Sequence, residues 1–283
     1  MTDAFAGSRP LMARLELAEA WQNARFVEEL RRTKPASGAE VRPVGSGLAL
    51  FAGPSTPMSQ ALGLGLSGTV DAAQLDSVEE LLGRGGGPIV ISLLPAADPT
   101  LAALLAERRY RVGEFNQVLV RTLAAASADT PTSMIARPPT SVIVRAIEPS
   151  EVELWARTVT AGFLEREEAS LSDAPWLTPK VPAGTTSFLA FDGARAIGAG
   201  SISIEGDIAI LSGTSVLPSA RFRGTQLALI EARLEHARRA GCELATSSTL
   251  PGTSSQRNLE RAGFRVNHCK AMLTRAPASR AQS

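Results

Sequence analysis

The sequence is poor in the residues that build cross-linked or metal-bound proteins. Its 283 residues include two cysteines, two histidines and one tyrosine. Cys242 and Cys269 form no CxxC pair, and His236 and His268 stand apart from other metal-ligating residues. We therefore expect neither a disulfide framework nor a metal site.

Long apolar runs and an excess of charge of one sign are also missing. No apolar stretch is long enough to cross a membrane, and residues 1–21 contain acidic residues but no apolar signal-peptide core. The net charge of +1 gives no electrostatic basis for nucleic acid as the main partner. We expect a cytoplasmic protein, monomeric or homodimeric, that binds neither nucleic acid nor membrane.

The composition that is present is typical of a globular protein of two domains. Hydrophobic residues make up 44% of the chain and charged residues 20%, and either half is long enough to bury a core. Residues 124–141 are rich in Ala, Ser, Thr and Pro without helical or strand periodicity, which predicts a linker. The predicted domains are therefore 1–123 and 142–283.

Hydrophobic periodicity predicts alternating strands and helices in both halves. In the second half it predicts strands at 141–147, 186–193, 196–207, 208–217, 242–250 and 264–275, and helices at 148–165, 223–240 and 254–262. In the first half it predicts strands at 47–53, 60–68, 88–95 and 110–121, and helices at 15–32, 71–83 and 98–109. Both halves are thus α/β.

The ends of the two halves resemble each other in sequence. Residues 90–121 align with 244–275 with one short gap, pairing Tyr110 with Phe264 and Pro95 with Pro251. Each half also ends in the order strand–helix–strand–helix–strand. We infer a tandem repeat of one α/β unit.

Only the second copy carries the stretch "SVLPSARFRGTQLALIEARL" at residues 215–234. Pro218 cannot extend a strand ladder, Gly224 permits close approach to the backbone, and an amphipathic helix follows. The first N–H groups of a helix lack partners and carry partial positive charge, so they can bind a phosphate. The alternative is a solvated turn that only begins a helix.

This stretch resembles motif A of the GNAT N-acetyltransferase superfamily. The family pattern is Val-x-Pro followed by Arg/Gln-x-x-Gly-x-Gly/Ala, and here it is matched from Val216 to Gly224, with Gln226 in place of the last small residue. The resemblance implies a mixed sheet flanked by helices, in two tandem copies of which the first is degenerate. It also implies acetyl-coenzyme A as cofactor and transfer of its acetyl group to a primary amine.

The resemblance further implies which residues bind the cofactor. Backbone groups near Ser215 and Val216 would pair with the pantetheine arm as an added strand would. Asn258, and Ser254 or Ser255, would contact the pantetheine or the thioester. The pyrophosphate would be held by the turn and helix start, through Arg221, Arg223, Gly224, Thr225, Gln226 and Leu227.

The catalytic groups are less well defined. The tyrosine acid that family members place four residues before the Gly of the Gly-Phe pair is Leu259 here, so Ser254, Ser255 or a water would have to substitute. Tyr110 is expected in the core. Glu205 is the first candidate for the base that deprotonates the amine. Other acidic candidates are Asp207, Glu165, Glu167 and Glu168.

Three other functions fit parts of the sequence. The missing tyrosine and Gln226 suit a non-catalytic coenzyme A-binding or regulatory protein, and an interaction module without cofactor is the second alternative. The segment "GLGLSG" at 63–68 matches GxGxxG, the fingerprint of nicotinamide-binding oxidoreductases. It lacks the helix start and the later acid of such a site, so we expect Gly63 and Gly65 to lie in a strand.

Overall fold

The structure is a computed structural model that describes residues 7–54, 56–123, 142–173 and 184–276. The chain divides into two compact units. The first unit comprises Met1–Val118 with Val266–Ser283, and the second comprises Leu119–Arg265. The predicted linker lies outside the described residues, so the predicted domain limits stay predictions.

The elements of the chain alternate as the periodicity predicts. Up to residue 123 they are α1 (Arg9–Thr33), β1 (Glu40–Val44), β2 (Gly47–Phe51), β3 (Gln60–Leu62), α2 (Ala72–Gly83), β4 (Ile89–Leu93), α3 (Pro99–Glu107) and β5 (Arg111–Thr122). From residue 142 they are β6 (Val142–Ala146), α4 (Val152–Phe163), β7 (Thr185–Asp192), β8 (Arg195–Glu205), β9 (Ile208–Val216), α5 (Thr225–Arg239), β10 (Leu244–Thr249), α6 (Ser254–Arg261) and β11 (Arg265–Arg275).

In the first unit the strand order is β1-β2-β3-β4-β11-β5. The first three strands pair antiparallel, β3 and β4 pair parallel, and β11 pairs antiparallel with β4 through Ala271–Arg275. The last strand of the chain therefore completes the first unit, whereas the sequence assigned it to the second copy. The reason is register: the apolar residues Ala271 and Leu273 lie beside Leu93 and Ile91.

In the second unit the strand order is β10-β9-β8-β7-β6. All neighbours pair antiparallel except β9 and β10, which are parallel. The Leu119–Thr122 end of β5 lies beside β10, because Thr246 donates its hydroxyl to Leu119 O at 2.9 Å and Leu123 N–H donates to Glu243 O at 2.7 Å. Each unit thus has a mixed sheet flanked by helices, which confirms the predicted fold class.

Each unit has its own core on the face covered by its later helices. In the first unit Leu75 and Val78 of α2 and Leu101 of α3 pack with Ile91. In the second unit the side chains of α5 and α6 pack on the sheet through Leu229, Leu234, Ile202, Leu211, Leu259 and Phe264. The aromatic pair that aligned in sequence, Tyr110 and Phe264, is buried in the two corresponding cores.

The first half contains one strand that was not predicted, and one expectation for it was wrong. Strand β1 was not predicted, because its sequence "EVRPV" contains a proline and an arginine. Gly63 and Gly65 do not lie in a strand: they form a turn after β3 with φ values of 74° and 73°. This left-handed conformation is incompatible with a strand and is tolerated by glycine.

Candidate functional site

The strand that leads to the motif contains a β-bulge. Two residues of β9, Gly213 and Thr214, lie opposite the single residue Gly200 of β8, and Gly213 has a φ of 58°. Such an extra residue bends the strand and re-aims its backbone groups, and bulges are frequent next to active sites. The bulge therefore marks where the backbone of β9 is available for other contacts.

On the edge opposite β8, β9 separates from β10 shortly before the bulge. The two strands pair from Ile208 to Ile210, whereas β9 continues to Val216. Ser247 of β10 donates its hydroxyl to Leu211 O at 2.9 Å, which is where the contact between the strands ends. Among the described residues, β9 thus has no ladder pairing with β10 from 212 to 216, the segment where the resemblance implies contacts of Ser215 and Val216 with the pantetheine arm.

The turn after β9 leads into the N-terminus of α5. Pro218 begins a single 3₁₀ turn, and Gly224, with a φ of 80°, is the N-cap of α5. The first hydrogen bond of the helix runs from Ala228 N–H to Gly224 O at 3.0 Å, and the N-cap supplies no side-chain acceptor. The N–H groups of residues 225–227 therefore have no partner within the helix and carry the partial positive charge of a helix N-terminus.

The guanidinium of Arg221 is directed back into the protein. It donates to Gly162 O and to Val216 O at 3.2 and 3.3 Å, and it pairs with Glu165 at 3.2 Å. Gly162 is near the C-terminus of α4, where a cation is favourable. Arg221 thus ties the end of β9 to α4.

Phe222 and Arg223, the two residues before Gly224, point outwards. Arg223 is 3.6 Å from Asp192 and more than half of its side chain is exposed. Phe222 is fully exposed and has a φ of 61°, which is strained for an aromatic residue. Arg223 is therefore the arginine of the motif that can reach an anion at the helix start.

Gln226 joins α5 to α6. Its amide nitrogen donates to Ser255 Oγ at 3.2 Å, and its amide oxygen accepts from Asn258 Nδ2 at 2.7 Å. The remaining amide oxygen of Asn258 accepts from Arg261 at 3.0 Å. The structure thus brings together three residues of the predicted cofactor site, while Ser254 is exposed at the start of α6.

The acidic segment after α4 holds the motif turn in place. Glu167 accepts from the N–H and the hydroxyl of Ser219, both at 2.7 Å, and from Arg195 at 2.8 Å. These bonds, those from Ser219 above all, lower the pKa of Glu167 below its ordinary value. A carboxylate so engaged is a weak base, which makes it a structural group.

Glu205 lies at the opposite end of β9 from the helix start. It is the last residue of β8 and pairs with Ile208, the first residue of β9. At 3.3 Å per residue, the strand from there to Val216 spans about 26 Å. The assignment of Glu205 as base stays a prediction, and the base would need to act near the bulge, about 17 Å away along the strand.

Three other positions considered for a catalytic role, Tyr110, Leu259 and Cys242, are buried in the cores of their units. Tyr110 belongs to the first unit, where its hydroxyl donates to Glu79 at 3.2 Å, and burial raises its pKa. Leu259 is buried in the core of the second unit. Cys242 is also buried, and burial followed by Asp207 raises the pKa of its thiol. Within the described residues no cluster of ligands could hold a metal ion.

A residue that the sequence analysis did not single out lies under the bulge. Arg233 of α5 is fully buried, with its guanidinium against Gly200 and against backbone carbonyls of β8 and β9. The signal in the sequence is its spacing: Arg233 follows Leu229 by four residues and precedes Ala237 by four, so it lies on the buried face of the helix.

Solved structures of N-acetyltransferases are similar to this fold. A GCN5-related N-acetyltransferase from Kribbella flavida is similar over 93% of this chain and 94% of its own, with a TM-score of 0.60 and 16% identity. A GCN5-related N-acetyltransferase from Sphaerobacter thermophilus is similar over 84% of this chain and 75% of its own, with a TM-score of 0.54 and 18% identity. A tandem GNAT protein from the clavulanic acid biosynthesis pathway is similar over 74% of this chain and 70% of its own, with a TM-score of 0.56 and 17% identity.

These similarities establish the fold. The chain has the fold of the GCN5-related N-acetyltransferases, in two tandem copies. No protein-family model matches the sequence, and no curated protein matches it either. No helix among the described residues is long and apolar enough to cross a membrane.

Proposed function

We propose that the chain is an acetyl-coenzyme A-dependent N-acyltransferase whose second unit holds the cofactor. The observation that carries this proposal is the path of β9. The strand separates from β10 after Ile210, passes the bulge at Gly213, and leads to a helix N-terminus capped by Gly224. An extended arm and an anionic group would find their partners there in succession.

The residues present fit such a cofactor. The backbone of 212–216 would pair with the pantetheine arm, the N–H groups of 225–227 would hold the pyrophosphate, and Arg223 would add charge at the rim. When bound, acetyl-coenzyme A would supply the acetyl group as a thioester. Gln226, Ser255 and Asn258 already contact one another, so the cofactor has to share or replace their hydrogen bonds.

The acceptor is proposed to be a primary amine of a small molecule or a protein. An alkyl amine has a pKa of about 10.4, so it must lose a proton before it attacks. Glu167 and Glu165 are engaged with the motif turn, and Glu205 lies far along β9. We therefore propose that a water molecule takes this proton, with Asp207 and Glu168 as the acidic candidates that these contacts leave open.

Two measurements test the proposal. Calorimetry with acetyl-coenzyme A measures binding, and thiol release with a panel of primary amines measures transfer. Binding with amine-dependent thiol release is the expected result, and no binding at millimolar ligand would contradict it and favour an interaction module.

The expectations of a cytoplasmic location, of a monomer or homodimer, and of no nucleic-acid partner stay predictions.

A second candidate function has its own supporting observation. Leu259 is buried where the family resemblance implies a tyrosine acid. The side-chain amide of Asn258 donates its hydrogen bond to Gln226. Both features suit a protein that binds coenzyme A without turnover. Binding without thiol release from any amine would favour this candidate.

A further inference from the structure

Among the described residues of the second unit, Arg233 is the most deeply buried cation. Its side chain is fully shielded from solvent. Nε donates to Leu229 O at 2.9 Å, and Nη1 donates to Ser201 O and Ser212 O at 3.1 and 3.4 Å. Nη2 has no hydrogen-bond partner among the described residues. A guanidinium held by neutral carbonyls keeps its full positive charge uncompensated.

The neighbouring charged groups do not neutralise it. Burial alone lowers the pKa of Arg233, to about 9, so the group stays cationic at neutral pH. The charged side chains on the elements around it have partners of their own: Arg145 with Glu151, Asp192 with Arg223, Arg195 with Glu167, Glu231 with Arg121, Glu260 with Gln256, Arg261 with Asn258, and Arg238 and Arg239 with Glu235. Glu205, at the far end of β8, also has a partner. His236 lies near Thr186.

The bulge creates the place for this guanidinium. Gly200 is the residue of β8 opposite the bulge, and a Cβ on it would lie 3.0 Å from Nη1 of Arg233. Ser212, whose carbonyl accepts from Nη1, is the residue just before the bulge. Glycine at position 200 therefore lets the cation reach the irregular part of β9.

Arg233 lies level with the place where the thiol end of the cofactor would be. From Thr225 to Arg233 the helix rises about 12 Å. From Val216 back to Ser212 the strand spans about 13 Å. An arm that starts at the helix N-terminus and pairs with 216–212 thus ends level with Ser212, whose carbonyl Arg233 contacts from the side of β8.

We propose that Arg233 is a positioning residue that stabilises the thiolate form of coenzyme A at the bulge and so compensates for the missing tyrosine acid. This inference rests on the proposed function. In acetyl transfer a C–N bond forms and the C–S bond breaks with its electron pair on sulfur, while the surplus proton of the amine passes to water. With a buried cation beside it, the sulfur can leave without being protonated at the same time.

The ultraviolet absorbance of the thiolate tests this without any acceptor. Coenzyme A bound to the full chain is titrated with base, and the complex with acetyl-coenzyme A serves as the blank for the two cysteines. We expect the pKa of the bound thiol to lie about one unit below that of free coenzyme A. In Arg233→Met it should rise to the free value or above, and in Arg233→Lys it should stay low.

A matched control removes a cation from the exposed surface of the same helix. Arg239→Met should leave the pKa of the bound thiol unchanged, since most of the Arg239 side chain is in water. If Arg233→Met does not fold, the thiol pKa of coenzyme A bound to the unmodified chain is compared with that of free coenzyme A. A bound value at or above the free value still refutes the inference.

Two results would overturn the inference, and they are distinguishable. Absence of coenzyme A binding to the unmodified chain would refute the proposed function together with it. Binding with a thiol pKa at or above the free value would refute the role of Arg233 alone.

Discussion

At the scale of single residues, the left-handed glycine before α5 is the most informative position. Gly224 combines a φ of 80° with the place next to the unpartnered N–H groups. Gly224→Asp should abolish acetyl-coenzyme A binding, because the carboxylate would both repel the pyrophosphate and occupy the helix N-terminus. Calorimetry measures the affinity, and circular dichroism checks that the variant is folded.

The matched control for that change is another glycine with the same backbone conformation. Gly206 has a φ of 58°, a Cβ at this position would have no other atom within 4 Å, and it follows Glu205 at the far end of β9. Gly206→Asp should carry a similar backbone strain but bind the cofactor normally. Equal affinity in both variants would count against the site.

Gln226 is the residue where the sequence departs from the family pattern. Gln226→Ala removes the amide that occupies Ser255 and Asn258, and it restores a small side chain. We expect acetyl-coenzyme A to bind roughly fivefold more tightly, since about 1 kcal/mol is needed to exchange a hydrogen bond of this kind. Gln256→Ala, on the next helix, is the control. Weaker binding in Gln226→Ala would instead make Gln226 a direct ligand.

At the scale of elements, β11 and α1 bury a polar network in the first unit. Lys270 of β11 contacts Glu16 and Glu19 of α1, both at 2.9 Å, and Ser92 donates to Glu16 at 2.8 Å. His268 is buried on the same strand. Burial first, and then the charge of Lys270, lowers the pKa of His268 to about 4, whereas Glu19 opposes this shift.

This buried histidine predicts a loss of stability in acid. His268 is neutral in the folded protein at pH 5 but takes up a proton on unfolding, so the free energy of unfolding falls as the pH drops from 6.5 towards 4. Between pH 7 and pH 4.5 the loss from this group is about 2 kcal/mol. In urea unfolding, His268→Gln should lose less stability over this interval. Parallel pH profiles of the two proteins would contradict this account.

Much of the element order could be predicted from sequence, because it depends on local periodicity. The helix at α5 and the turn at Pro218 and Gly224 follow from apolar spacing and from backbone chemistry that single residues impose. The bulge at Gly213 and the side-chain directions of Arg221 and Gln226 could not be predicted, because they depend on strand register and on partners distant in sequence.

At the scale of the whole molecule, the position of a strand in the sequence does not always decide which unit it belongs to. β11 pairs with β4 in the first unit, and the Leu119–Thr122 segment lies beside β10 in the second. Sequence similarity could reveal the two copies but not this pairing, since strands of similar sequence can take either place. Each unit is therefore completed by residues from the other half of the sequence.

This arrangement predicts the outcome of a truncation. A chain of residues 142–283 lacks β4 as partner for β11 and lacks Leu119–Thr122 as partner for β10. We expect it to aggregate, because unpaired strand edges associate with other chains. Size-exclusion chromatography measures this.

Cleavage of the full chain within residues 124–141 is the control for the truncation. It removes no strand, so the two fragments should stay together. A monomeric, cooperatively folded 142–283 chain would refute this view of the units.

Of the two copies, we propose that only the second binds acetyl-coenzyme A. Calorimetric titration of the full chain with acetyl-coenzyme A tests it most directly, because it gives affinity and stoichiometry together. We expect one molecule bound per chain, in the micromolar range, and none in Gly224→Asp. No binding at millimolar ligand, or two molecules per chain, would contradict it.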